Sequence, residues 1–392
     1  MAISLEKIYY TAMRKYNLKL VAGTPGIWNM VSWIHIVEDV GVVGFLKGQE
    51  LVVITGISGL NEEQLLDYTM KLYRQEASGL IINLGPYIHE IPQQVIDFAE
   101  ENNFPVFSLP WEVHLVDFNR EFCNLIIHSE QENQNLCSAF RNAIFTPKAE
   151  ETYLPFLKKE GISLEENYCM IKCLPCILHK ETEEFDITKT FYDLRLYFER
   201  IVNKTQKQYV IFRSDNYITM ILPTTDKHEV DEILQECLRF GKWRNGTGKL
   251  YFAISKYDLK ITDLAENFET LSYMCKLSEK EERNIWHWED LGEWRILFSV
   301  QNVKVLEEYM NANIGELQKY DKENGTEYCK ILDTYLRLNG NMPEVAAECF
   351  IHRNTVAYHL KKIENILNCD IYSTKDRVRL YLALRIKEIL DL

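Results

Sequence analysis

The chain has 392 residues, 46% of them hydrophobic and 26% charged, with a formal net charge of −14. That length suits two or three domains, and the acidic excess excludes a protein that coats nucleic acid along its whole surface. Without an apolar run of about eighteen residues or a signal-peptide core in MAISLEKIYYTAMRK, the sequence reads as cytoplasmic with no membrane contact; ten scattered Cys fit a reducing compartment.

Residues 1–125 read as a mainly parallel α/β domain. Helical periodicity at Leu5–Tyr16 gives way to apolar runs at Val31–Val37, Leu51–Thr55, Leu80–Leu84 and Val106–Leu109, with helical patterns at Glu62–Gln75 and Pro92–Asn102 between them. Strand–helix alternation with short connections predicts right-handed crossovers. Ligands of open α/β sheets gather at the C-terminal ends of strands, so Thr55, Gly56, Asn83 and Gly85 form a candidate small-molecule set. Trp33, with Trp28 and Trp111, is expected close enough to report binding. His35 and Glu38 are close in sequence, but a His near a Glu on a strand reads as a structural hydrogen bond.

A polar segment from Val116 to about Phe145 carries Phe118, Phe122, Leu125, Ser129, Leu136 and Phe140 at three- and four-residue steps. One long helix is the simplest reading, either a linker over 126–150 or a coiled coil with a twin, its seam weakened by the polar stretch Glu130–Asn135.

Residues 151–295 read as a second α/β unit. Strand signals lie at Tyr168–Leu174, Gln208–Arg213, Tyr217–Leu222 and Leu250–Ile254, and helical patterns at Ile187–Val202, Lys227–Phe240 and Ile261–Leu277. A hairpin turns at Asp215-Asn216. Cys169, Cys173, Cys176 and His179 have the spacing of an iron–sulfur motif, but a strand there holds the sulfurs apart. An iron–sulfur or metal-dependent enzyme or redox sensor on Cys169, Cys173 and Cys176 is the alternative reading of the chain.

From residue 296 to 392 the chain is expected to be all-α. Helices are predicted at Asp290–Phe298, Val303–Met310, Gly315–Tyr320 and Glu327–Leu338, and a widely apolar Lys375–Leu390 helix must be covered by the bundle or by a second subunit. Residues 326–392 hold ten Lys/Arg against nine Asp/Glu, while the rest holds thirty-four against forty-nine, so the acidity lies outside this tail. Within it, Asn341 and Glu344 suggest a capping box for one short helix. A second helix from about His352 carries Val356, Leu360, Ile363 and Leu367 as a narrow apolar stripe. Opposite lie Asn354, Tyr358, Lys361, Lys362 and Asn365, with Thr355 on the margin and Arg353 nearer the apolar side. That face offers amide, phenol and ammonium groups without a carboxylate, which suits a major groove; a solvated amphipathic helix of an ordinary bundle fits the same spacing.

The stretch GNMPEVAAECFIHRNTVAYHLKKIENIL resembles the C-terminal helix-turn-helix of the purine catabolism regulator (PucR) family, with His352-Arg353-Asn354-Thr355-Val356-x-Tyr358 as its most specific part. The same core resembles the DNA-binding end of the factor for inversion stimulation. His359 stands where family members commonly carry Arg, and Phe350 where small residues or Leu are usual. WIHIVED, FLKGQELVVITG and IPQQVIDFAEENNFPVFSLP resemble the family's N-terminal domain, which implies a small-molecule effector. The Arg213–Tyr217 hairpin is similar in setting to the one that carries the GGDEF signature of nucleotide cyclases. It lacks the two glycines and the Glu, so the resemblance implies a GGDEF-like, non-catalytic unit. The expectation is therefore a transcription regulator of a catabolic gene cluster that binds a double-stranded DNA operator as a homodimer or higher homo-oligomer. No catalytic residue, metal site or cofactor is assigned. The DNA-binding set is His352, Arg353, Asn354, Thr355, Tyr358, Lys361 and Lys362; an adaptor whose tail binds protein is a third reading.

Overall fold

The computed structural model describes residues 3–177, 187–243, 248–300 and 302–391. Its contacts divide the chain into two units, Met1–Leu271 and Ser272–Leu392, with the boundary inside one helix.

The first unit opens with β1 (Ile3–Ser4), α1 (Leu5–Tyr16), β2 (Lys19–Ala22), β3 (Met30–Val31), β4 (Trp33–Ile36), β5 (Glu50–Ile54), α2 (Glu62–Arg74), β6 (Gly79–Leu84), α3 (Gln93–Glu101) and β7 (Val106–Pro110). Their sheet has the order β2-β7-β6-β5-β4, parallel from β4 to β7 with β2 antiparallel at one edge. Helices cover both faces, which is why β5 and β6 are near-continuous apolar runs. Val52, Ile54, Leu80 and Ile82 pack with Tyr68 and Leu72 of α2 and Val95 of α3. The alternate residues Leu51, Val53 and Ile81 pack with Leu5 and Ile8 of α1. The expected run Val31–Val37 is broken at Ser32, whose N–H and hydroxyl both donate to the Gln49 carbonyl. Met30 and Val31 pair instead with β1.

α4 (Leu115–Phe145) is a single helix of 31 residues. Phe118, Phe122 and Ile126 join the core of the first sheet, while Leu136, Phe140 and Ile144 are buried further along. Residues 131–134 between them are exposed, so the polar interruption is a solvated waist. The stripe expected to meet a twin is consumed inside the chain. A pairing of α4 through Phe118–Phe140 is thereby corrected.

The rest of the first unit holds α5 (Leu154–Lys159), β8 (Cys169–Ile177), α6 (Ile187–Asn203), β9 (Val210–Ser214), β10 (Tyr217–Leu222), α7 (Lys227–Trp243) and β11 (Gly248–Ile254), then enters α8 (Leu264–Lys280). β11, β8, β10 and β9 lie side by side and antiparallel. The β9–β10 hairpin closes on Ser214↔Tyr217, with Asp215 in the left-handed region at φ 51°.

The second unit holds β12 (Ile285–His287), α9 (Trp294–Phe298), α10 (Val303–Asn324), α11 (Tyr328–Arg337), α12 (Met342–Glu348), α13 (Arg353–Leu367) and α14 (Thr374–Leu390). α10 joins two stretches expected as separate helices; Gly315 lies inside it rather than at a start, a cost of about 1 kcal/mol relative to Ala that packing of Ile314 and Leu317 offsets. Beyond the Gly325 turn, the Asp321 carboxylate accepts from the Tyr328 and Cys329 N–H groups at 2.8 Å each and caps α11 from outside. α14 is covered by its own bundle: Leu380, Ala383 and Leu384 sit in the same core as Val356 and Leu360. Arg385, also buried, is held by Asp333 and Glu388. A second subunit is therefore not needed to cover α14. Among the described residues no helix is long and apolar enough to cross a membrane.

Candidate nucleic-acid interface and candidate effector site

α13 is seated by Val356, Leu360 and Ile363, all buried in one cluster with Val345 of α12 and Ile331, Leu332 and Tyr335 of α11. Its first turn is capped by His352, whose Nδ1 accepts from the Asn354 N–H at 3.2 Å. That bond fixes one ring nitrogen of His352 in a structural role and leaves Nε2. α12 has no side-chain cap: Asn341 makes no such bond, so the expected capping box with Glu344 is not formed. The link between the helices is a Schellman closure, with the Phe350 N–H donating to Ala347 O and the Ile351 N–H to Ala346 O. Glycine is the usual residue at its left-handed position. Here Phe350 occupies it at φ 54°, with its ring 94% exposed.

The opposite face of α13 presents Arg353, Asn354, Tyr358 and Lys361, all exposed, with Thr355 and Lys362 half-buried. Arg353 thus points to solvent rather than toward the apolar side as expected. The Lys362 ammonium lies 5.0 Å from the Tyr358 ring centre, and a hydrogen bond with Tyr358 holds its pKa above the ordinary value. Glu364, the one carboxylate of the helix, turns back to accept from the Ile371 N–H at 3.2 Å. The exposed face therefore carries donors and cations without a competing acid. His359 is not on it. Its ring lies 5.1 Å from that of Tyr328, with Nδ1 buried and unpartnered, and burial followed by the nearby Lys362 lowers its pKa.

The residues expected at the strand ends of the first sheet are largely engaged internally. The Thr55 and Gly56 N–H groups donate to the Glu38 carboxylate at 2.7 and 3.1 Å. Glu38 thereby bonds backbone rather than His35. Asn83 is buried and its amide donates to Leu109 O and Pro110 O. At Gly85 a Cβ would come within 2.4 Å of the Trp111 ring, so glycine there serves aromatic packing that also includes Tyr87. Trp33 does not join this set. It stands in register with Glu50, at the start of β5, about 16 Å of extended strand from Thr55.

Strand geometry also corrects the cysteine alternative. Cys169 and Cys173 are buried four residues apart on β8, about 13 Å along the strand, and Cys176 projects from the other face. No rotamer brings the three sulfurs to one cluster. His179 lies outside the described residues.

Comparison with known proteins finds similarity to transcription regulators. Residues 10–126 match the purine catabolism regulatory protein-like family and residues 328–386 the PucR C-terminal helix-turn-helix domain. The chain is 24% identical over 200 residues to the proline-responsive transcriptional activator PutR of Bacillus subtilis, covering 49% of each. To the purine catabolism regulatory protein of the same organism it is 27% identical over 143 residues, 35% of this chain and 27% of that one. To the DNA-binding transcriptional activator AdeR it is 21% identical over 194 residues, 47% and 46% of the two. The matches thus span about half or less of these relatives. Among solved structures, a regulator of polyketide synthase expression from Bifidobacterium adolescentis aligns at 16% identity and a TM-score of 0.30, covering 66% of this chain and 94% of that one. This chain carries a domain of the purine catabolism regulatory protein-like family at residues 10–126 and the PucR C-terminal helix-turn-helix domain at residues 328–386.

Proposed function

We propose that the chain is a DNA-binding transcription regulator that reads an operator through α13, as a dimer, under the control of a small-molecule effector. The observation that carries it is the α13 face: a helix seated by three buried aliphatics that exposes Arg353, Asn354, Tyr358 and Lys361 with its only carboxylate turned inward. In this reading residues 1–125 sense the effector, 126–150 link, 151–295 form a GGDEF-like unit without turnover, and 296–392 bind DNA. Names of the relatives, a proline-responsive activator among them, support effector control of a catabolic gene cluster. Asn354 and Tyr358 contact bases; Lys361, Lys362 and Arg353 contact phosphates; Thr355 flanks them, and His352 orients the helix start.

The test is footprinting on the DNA beside the protein's own gene, followed by variants. Asn354→Ala costs about 1–3 kcal/mol on the protected site and much less on random DNA. Lys361→Ala weakens both alike and lowers the salt slope by about one. If both variants stay folded and bind the site as the wild type does, α13 is not the reader.

A further inference from the structure

A cavity of about 210 Å³ lies in the first unit where the starting edge of the parallel sheet meets α6. Met30 and Leu196, buried against each other, supply its apolar part. Its polar groups come from distant parts of the chain. Arg200, half-buried on α6, makes no hydrogen bond or ion pair among the described residues. The Glu76 carboxylate makes none either, and Gln49 Oε1 is buried without a donor. Asp193 adds a second carboxylate to the lining. Gln49 and Glu76 also hold left-handed backbone, at φ 66° and 58°, joined by the Gln49 N–H donating to Glu76 O at 2.8 Å. Two adjoining non-glycine residues in that region, both facing one cavity, are the kind of strain that collects at ligand clamps.

Complementarity narrows the ligand. A guanidinium pairs best with a planar carboxylate, which it meets with two parallel N–H donors. An amide oxygen and a carboxylate accept from N–H groups; Glu76 is exposed at the rim, while the buried Gln49 Oε1 without a donor is costly. A plain cation leaves Arg200 uncompensated, and a plain anion meets Glu76 and Asp193. A molecule with one carboxylate and one ammonium on a small, partly apolar frame answers all of them. We propose that this cavity binds a small zwitterion of the α-amino acid class and is the effector site of the chain, with α6 completing a site that residues 1–125 begin. The effector role rests on the regulatory reading above; the binding itself does not.

Trp33, exposed and in register with Glu50 beside Gln49, supplies a reporter. The full-length chain is titrated with the common α-amino acids one at a time, followed by tryptophan fluorescence and by calorimetry. At least one binds saturably, and its N-acetyl and carboxamide derivatives bind about tenfold or more weakly, as each removes a charge-assisted contact. Arg200→Gln and Glu76→Gln each weaken the parent amino acid by a similar factor, with circular dichroism and melting checked on the ligand-free variants. Should a variant fail to fold, the derivatives probe the same contacts on the unaltered chain. Absence of saturable binding by every amino acid overturns the proposal, as does equal affinity for parent and derivatives. Gel shifts on the same preparations keep the two readings apart: amino-acid binding without DNA binding supports the cavity and sinks the regulator.

Discussion

Phe350 shows how one residue can be placed against its own preference. The left-handed backbone of the α12–α13 closure disfavours a residue with a Cβ by about 1–2 kcal/mol, and a ring left 94% exposed recovers little by burial. Phe350→Gly is therefore expected to raise stability by about 1 kcal/mol, read from denaturant unfolding with an unchanged m-value; a loss of stability would show that the ring is held by contacts in solution. His359 supplies the pH dependence. Burial and then the neighbouring Lys362 lower its folded pKa, so the unfolded chain binds a proton more readily. Its contribution is fully present above the unfolded value of about 6.5 and is lost as pH falls through the folded value. Tyr328, Tyr358 and Lys362 face it, and none is an acid that would rescue the imidazolium. Melting of the full-length chain is expected to drop on acidification below that range, and His359→Gln to flatten the drop; an unchanged slope would assign it to other groups.

At the scale of elements, what could be read from the sequence was what a local pattern determines. Leu5–Tyr16 is a helix because Leu5, Ile8 and Ala12 recur on one buried face and Ser4 caps it. The runs at β5, β6 and β7 are strands because both faces are covered and apolar residues dominate each of them. The apolar stripe of α13 set its seat in the same way. What could not be read depends on partners remote in sequence. β1, β2 and β3 are two to four residues long and exist only through pairing. α10 is continuous through Gly315 because the bundle packs both sides of it. The candidate effector residues show a related limit: strand ends were identifiable, but that the Glu38 carboxylate accepts from the Thr55 and Gly56 N–H groups required the fold. Gln49, Glu76 and Arg200 carried no sequence signal at all, being joined only by the meeting of the sheet edge with α6. Asp321 is a testable case of such a remote tie. Asp321→Ala frees two N–H groups at the start of α11 and is expected to cost about 1–2 kcal/mol in the second unit. Hydrogen exchange should show faster opening at Tyr328 and Cys329. Protection unchanged at both amides would mean that the cap contributes nothing.

For the whole molecule, the unresolved economy is between one short reading helix and a specific operator. α13 has 15 residues, and only its first turns can enter a groove, so one copy contacts a few base pairs. In the proposed dimer, two-fold pairing would supply the missing specificity and fix the geometry, with half-sites separated by roughly 34 Å or a multiple of it. The apolar stripes that the sequence offers for pairing, on α4 and α14, are instead buried within the chain, so a dimer must use surface that keeps both helices packed. This makes the oligomer separable from the fold: the full-length chain should melt with the same transition when diluted, while operator affinity falls as the dimer dissociates. Sedimentation of the protein alone and footprinting across the same concentration range measure the two quantities independently. A dimer gives paired protections one helical turn, or a whole number of turns, apart, and inserting about five base pairs between the half-sites turns one to the opposite side of the duplex and abolishes tight binding. Full affinity for a single isolated half-site by a monomeric chain would show that α13 reads DNA alone.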